Sequence, residues 1–346
     1  MMKNWNFEKM KKWDGGNLRL KETVYYGRRN LWMILLKTCM VILVASLSSV
    51  SFAQSYPGSF ARIGLNAKGM ALGNSISAMT EGNVYTYYNP ALASFQENGS
   101  IAASVALMSL SRQLNVLTYT QGLRPAAGLS LGVINATVSN IDGRNSDGVH
   151  TSNLSTSENL VFLSFANQFT PGLSVGLSLK LYYYDLYSGI TSTSFGFDLG
   201  GVYQVTQNLS VALVATDLGE SYHWDSSSLY GTSGSTFTSQ FPHIFKVGAA
   251  YNLPLFKSSI TAEYDIGPSG LSGLRAGLQY APFNMLALRA GLATANESYV
   301  GTKIWPSFGF GARIAFLGFT PELNYAYTSE PFTPYGIQTL TLILGF

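Results

Sequence analysis

From residue 99 to the C-terminus, apolar and polar residues alternate with a period of two. In residues 173–184, Leu173, Val175, Leu177, Leu179, Leu181 and Tyr183 alternate with Ser174, Gly176, Ser178, Lys180, Tyr182 and Tyr184. The same alternation runs through Leu274, Ala276, Leu278 and Tyr280, through Leu286, Leu288, Ala290 and Leu292, and through Phe308, Phe310, Ala312, Ile314 and Phe316. Successive strand residues point to opposite faces, so each segment presents one apolar and one polar face. Fourteen such segments are predicted, near 100–110, 113–121, 126–138, 157–168, 173–187, 193–205, 209–218, 243–253, 257–267, 272–281, 285–294, 306–316, 319–329 and 335–346. Most have the length a tilted strand needs to cross a bilayer. Short connections (122–125, 168–172, 205–208, 254–256, 282–284, 317–318) alternate with longer ones (139–156, 188–192, 219–242, 268–271, 295–305, 330–334). Tight turns on one side and larger loops on the other are the habit of an antiparallel barrel. The expected fold is therefore all-β: a 14-stranded antiparallel transmembrane β-barrel. A secreted soluble β protein would also alternate, but with shorter strands and more Lys and Glu on the polar face.

Composition agrees with a membrane wall built of strands. The 346 residues are 47% hydrophobic and 11% charged, with 35 Gly, 21 Tyr and 20 Phe. Soluble domains carry about 25% charged residues. Outside the N-terminal region, no run of about 18 apolar residues offers a membrane helix. Residues 38–53 (TCMVILVASLSSVSFA) have the short apolar core and small-residue end of a signal peptide, so residues 1–53 are read as a leader, with Met33 or an earlier Met as alternative initiators. Nine of the 21 Lys and Arg and three of the 18 Asp and Glu lie in this leader, leaving 12 cations and 15 anions, a net charge of −3. That balance offers no basic face for nucleic acid. Cys39 falls in the leader, so no disulfide is expected in the exported chain. The final Leu340, Leu342, Leu344 and Phe346 alternate up to a terminal aromatic, which resembles the targeting signal of bacterial outer-membrane barrels. The expected location is the outer membrane of a Gram-negative cell, with lipid as the barrel's surroundings.

With the apolar face outward, the charges inside the lumen are Lys180, Asp198, Lys246, Glu263, Asp265, Arg275, Arg289, Arg313 and Glu322. They read either as a polar passage or as an ion-pair lattice that stiffens the barrel. Five cations against four anions favour the lattice, since a charge-selective pore shows one sign. The three histidines, His150, His223 and His243, fall in outer loops or at a strand start and form no visible cluster with an acid or a Ser. No catalytic residues, cofactor or metal site are expected.

Between leader and barrel lies a segment, residues 54–98, expected to fold as a plug inside the barrel, residues 99–346. Within it, residues 61–95 hold Gly64, Gly69, Gly73 and Gly82, the cations Arg62 and Lys68, and the tripeptide Asn89-Pro90-Ala91. Small residues in 61–72 permit a short helix in close quarters. Pro90 pushes Asn89 out of the α region, so the tripeptide suits a compact turn. Arg62 and Lys68 are expected to pair with Glu263, Asp265 or Glu322. The runs Phe60-Ala61-Arg62-Ile63-Gly64, Ala67-Lys68-Gly69-Met70-Ala71-Leu72-Gly73-Asn74 and Tyr88-Asn89-Pro90-Ala91-Leu92 resemble the start of the PorV/PorQ family barrels of Bacteroidota, which are similar in turn to FadL-type outer-membrane proteins; Asn89-Pro90-Ala91 matches the motif of the FadL hatch. The resemblance implies a role in the type IX secretion system, binding the signal domains of secreted cargo or other secretion subunits, with loops 139–156 and 219–242 as the contacting surface. The alternative it implies is a FadL-like conduit for hydrophobic small molecules, with Tyr182, Tyr184 and Met285 as lining residues.

Overall fold

The computed structural model describes residues 56–346, apart from 188, 269–270, 298–300, 315–319 and 331–334. The expected leader lies outside the described residues. Fourteen antiparallel strands close into a barrel: β1 (Ser100–Met108), β2 (Arg112–Leu123), β3 (Ala127–Arg144), β4 (His150–Thr170), β5 (Leu173–Tyr187), β6 (Ile190–Gln204), β7 (Leu209–Leu218), β10 (Ile244–Leu253), β11 (Ser258–Ile266), β12 (Ser272–Phe283), β13 (Leu286–Glu297), β14 (Gly301–Arg313), β15 (Glu322–Thr328) and β16 (Ile337–Gly345). The barrel closes where β1 meets β16, from Ser100 opposite Gly345 to Leu107 opposite Gln338. Between β7 and β10 the chain leaves the wall to form a separate hairpin of β8 (Ser221–Asp225) and β9 (Thr236–Gln240).

Each predicted strand corresponds to a strand of the wall, and the phase matches. In β5, Leu173 to Tyr183 face outward while Ser174, Gly176, Ser178, Lys180 and Tyr182 are buried inside. The outward Leu, Val, Phe and Tyr side chains form the band that meets the acyl chains. No helix among the described residues is long and apolar enough to cross a membrane, and the strands perform the crossing.

Two loops differ from expectation. Residues 139–156, read as a polar outer loop, are mostly strand: β3 and β4 run 18 and 21 residues and stay paired to Arg144 and His150. Alternation fades there because neither face of this extension meets lipid or core. Residues 219–242, read as a loop, form the β8–β9 hairpin, with residues 227–233 exposed. Their first and last turns fold back, burying Glu220, Tyr222, Trp224 and Phe241.

Residues 56–98 fill the interior. A single 3-10 turn (Ser59–Arg62) precedes the short helix α1 (Ala67–Ala71), and a second 3-10 helix spans Pro90–Phe95. Asn66 is the N-cap of α1, accepting the Gly69 amide at 2.7 Å. Gly73, at φ +63°, ends the helix in the left-handed region where a side chain would be strained.

Candidate functional site: the plugged lumen

The outer end of the lumen is closed by an ion cluster beneath the β8–β9 hairpin. Lys180 on β5 places its ammonium 2.7 Å from Asp198 on β6 and 3.0 Å from Asp217 on β7. Arg62 of the plug approaches Asp217 at 3.6 Å, and the Asp217 amide donates to Asp198 at 2.9 Å. Period two would send Asp217 to the lipid face with Leu213 and Ala215. A left-handed backbone (φ +60°), beside a register shift between β6 and β7, turns it inward instead. Glu220, in the connection from β7 to β8, brings a third carboxylate within 4.8 Å of the other two. It is 2% exposed, and neither of its carboxylate oxygens has a hydrogen-bond partner among the described residues. Burial pushes Glu220 up to about 8, Asp217 and Asp198 adding to the rise against the pull of Lys180. Lys180 already occupies the position between Asp198 and Asp217 that a metal cation would take.

Above these charges the hairpin seals the mouth with aromatic rings. Tyr182 meets Phe241 at 4.9 Å between ring centroids, Tyr222 meets Phe241 at 5.0 Å, and Tyr184 meets Trp224 at 5.2 Å. Phe60 of the plug joins from below, 6.2 Å from Tyr182. The hairpin is also tied to the wall by polar bonds, since the Ser221 and His223 amides donate to Ser194 and Ser192 of β6 at 2.8 and 2.9 Å. Sequence alternation does not reveal this layer, because Tyr182 and Tyr184 sit on the polar register while their partners come from a loop.

The middle of the lumen is the seat of the plug. Asn89 is fully buried and extended (φ −160°), as the following proline requires. Its side chain accepts the Ala91 amide at 3.0 Å, capping the Pro90–Phe95 turn, and donates to the carbonyls of Ser77 (2.9 Å) and Gly201 (3.3 Å). The tripeptide thus ties two plug segments to β6, in addition to forming the expected turn. The wall is shaped to receive it. A Cβ on Gly200 would lie 2.0 Å from the Asn89 side-chain oxygen, and one on Gly176 2.4 Å from the Ala91 nitrogen. Gly128, Gly248, Gly277, Gly291 and Gly309 likewise leave room for plug atoms only because they lack a side chain. Glycine on the inward register of successive strands is the sequence signal for this seat. Hydroxyls complete it: Thr341 accepts the Ala67 amide at 2.8 Å, Ser75 meets Thr261 at 2.7 Å, and Ser94 meets Ser174 at 2.7 Å.

Toward the inner end the lumen opens into a vestibule. One compartment, about 560 Å³, lies against the β10–β14 side and is lined by Lys68, Lys257, Arg289 and Arg313 with Glu81 and Glu322. A second, about 890 Å³, lies against the barrel seam and has Glu81, Glu97 and Glu322 facing Arg313. By contrast, a cavity beside the outer ion cluster and one between the plug and the inner halves of β1 and β2 hold about 30 and 20 Å³, room for single waters.

The nine lumen charges expected from sequence all sit on the inner face, eight of them largely buried and Arg313 half exposed at the vestibule. They pair as a lattice: Lys180 with Asp198, Lys246 with Glu263 (3.8 Å), Arg275 with Asp265 (2.8 Å), and Arg289 (3.6 Å) and Arg313 (3.0 Å) with Glu322. The plug cations behave differently from expectation. Arg62 pairs with Asp217 rather than with Glu263, Asp265 or Glu322, because it lies at the outer end of the plug. Lys68 lies near Glu322, yet among the described residues no carboxylate comes within 4.0 Å of its ammonium, since Arg289 and Arg313 hold Glu322 first. Met285 lines the inner vestibule, at the opposite end from Tyr182 and Tyr184, so the three do not line one pocket.

No protein-family model matches the sequence, and no curated protein matches it either. Solved structures do resemble it. The Pseudomonas putida toluene transporter TodX shares 14% identity, with 82% of this chain and 96% of that chain covered at a TM-score of 0.56. The CymD monoaromatic hydrocarbon channel shares 14%, covering 84% and 98% at 0.59, and a Pseudomonas aeruginosa FadL homologue shares 10%, covering 82% and 98% at 0.55. The likeness at these identities is one of fold. The chain is an outer-membrane β-barrel of FadL-like architecture.

Proposed function

We infer that the protein is an outer-membrane channel for hydrophobic small molecules, with the internal segment as its gate. The observation that carries this reading is the plug itself. It is a distinct segment seated by hydroxyl contacts, glycine gaps and apolar contacts with the wall, inside a barrel whose fold is that of proteins described as a toluene transporter and a monoaromatic hydrocarbon channel. The aromatic layer under the β8–β9 hairpin gives an apolar solute a surface to enter against. Passage requires the plug and hairpin to shift, since the cavity beside the outer ion cluster has room for about a single water. Uptake of toluene and of a long-chain alkane by cells with and without the gene tests this. Loss of uptake in the knockout, restored by the intact gene, is the expected result; unchanged uptake removes the reading.

A second reading draws on the filled lumen and on the PorV/PorQ-like stretch around Asn89-Pro90-Ala91: a type IX secretion component that binds cargo signal domains or partner subunits instead of conducting. Here the exposed edge of the β3–β4 extension is the contact surface. Affinity capture of the tagged barrel from cells expressing the secretion machinery should recover those proteins, and recovery of none counts against it.

A further inference from the structure

Lys68 has an unusual position. It is 6% exposed, it sits on the five-residue helix α1, and among the described residues its ammonium meets the Asn83 carbonyl at 3.5 Å and the Tyr85 ring at 5.8 Å from the centroid. A charged amine buried to this degree is costly without an anion beside it. The Glu322 carboxylate that could serve is taken from both sides, by Arg289 at 3.6 Å and Arg313 at 3.0 Å. Gly82 opens the space between the cations: a Cβ built there would lie 3.8 Å from the Lys68 nitrogen and 3.9 Å from an Arg313 guanidinium nitrogen, with nothing else within 4 Å. Lys68 and Arg313 therefore flank one bare backbone position at the wall of the 560 Å³ compartment. With Lys257 and Arg289 also lining it, four cations face two carboxylates, Glu81 and Glu322, an excess of two positive charges. The neighbouring compartment shares Glu81, Glu322 and Arg313 and adds Glu97, so the two together keep four cations to three carboxylates.

We propose that the compartment bounded by Lys68, Arg289, Arg313 and Gly82 is a binding site for a phosphoryl group presented from the periplasmic side. The charge matches: a phosphate monoester carries between one and two negative charges at neutral pH and offers three acceptor oxygens. A guanidinium fork suits such a group, and an ammonium adds a point charge. The walls also fit two sources of it. Met79, Leu253, Phe283 and Met285 line the same space, so the group can be free phosphate or the headgroup of a phospholipid whose tails lie along those residues.

Calorimetric titration of the detergent-folded barrel with inorganic phosphate, dioctanoyl phosphatidate and dioctanoylglycerol tests the site. Saturable binding of phosphate and phosphatidate alike identifies a free anion as sufficient. Binding of phosphatidate alone, with none of the uncharged glyceride, identifies a lipid headgroup. In either case Arg313→Gln should weaken binding about tenfold and Lys68→Gln at least as much, while Arg144→Gln, at the far end of the barrel, should change nothing. Arg313 is half exposed, so its replacement leaves a barrel whose folding can be checked by heat-modifiable migration even if the Lys68 variant fails to fold. Binding equal in wild type and Arg313→Gln, or no binding of either charged probe, overturns the proposal.

Discussion

Lys180 holds two buried aspartates that come from neighbouring strands, pairing with both. Removing one partner of such a group leaves charge without compensation, which costs about 3–5 kcal/mol. Lys180→Met should therefore lower the unfolding midpoint of the detergent-folded barrel in urea, whereas replacing the exposed Arg144 should leave it unchanged. Asn89 acts at the same scale in a different way. It satisfies three backbone groups at the seat of the plug. Asn89→Ala should loosen the plug by about 1–3 kcal/mol, seen as faster amide exchange in residues 75–95 with strand exchange unaltered. Gly176→Ala should do the same by steric means, because its Cβ would meet plug backbone rather than a side chain able to turn away.

The β8–β9 hairpin has a titrating group, Glu220, buried at its base. Glu220 is protonated when buried and titrates near 8 in the closed hairpin, against an ordinary carboxylate value when the hairpin is open to water. The closed state therefore binds a proton that the open state has already lost between about pH 4.5 and 8. Closure weakens as pH rises through that window and levels off above it. Trp224, packed against Tyr184 and Tyr222, reports the change. Its fluorescence should shift toward that of an exposed indole as pH rises from 5 to 9, and Glu220→Gln should flatten the dependence. A shift of equal size in the Gln variant would assign the response to another group.

For the molecule as a whole, wall and plug are separable in kind. The wall closes on itself through β1 and β16, and its ladder hydrogen bonds do not involve residues 61–95. Deleting residues 61–95 should leave a heat-modifiable barrel while raising single-channel conductance in a planar bilayer well above that of the intact protein. If the deletion abolishes barrel folding, the lumen charges and glycines cannot tolerate an empty interior, and the segment is core rather than gate. The two compartments of the vestibule already open inward, so the added conductance arises from the outer part, where the cavity beside the ion cluster has room for about a single water.

The sequence by itself determined the wall: strand number, phase and the inward face of nine of its charges. A strand crossing lipid must alternate strictly, because a one-residue slip exposes polar groups to acyl chains, and β5 shows that constraint residue by residue. Asn89-Pro90-Ala91 and the inward glycines likewise carry a local signal, a restricted backbone and a missing side chain. Contacts between parts far apart in the chain were decided only by the tertiary structure. Arg62 finds Asp217, which a positive φ takes off its expected face. Loop residues Tyr222, Trp224 and Phe241 become part of the interior. Lys68 lies near Glu322 but forms no ion pair within 4.0 Å among the described residues, where two arginines hold that carboxylate. Period two records which way a residue points from the wall, whereas the partner it meets inside depends on how the plug descends, and no local pattern encodes that path.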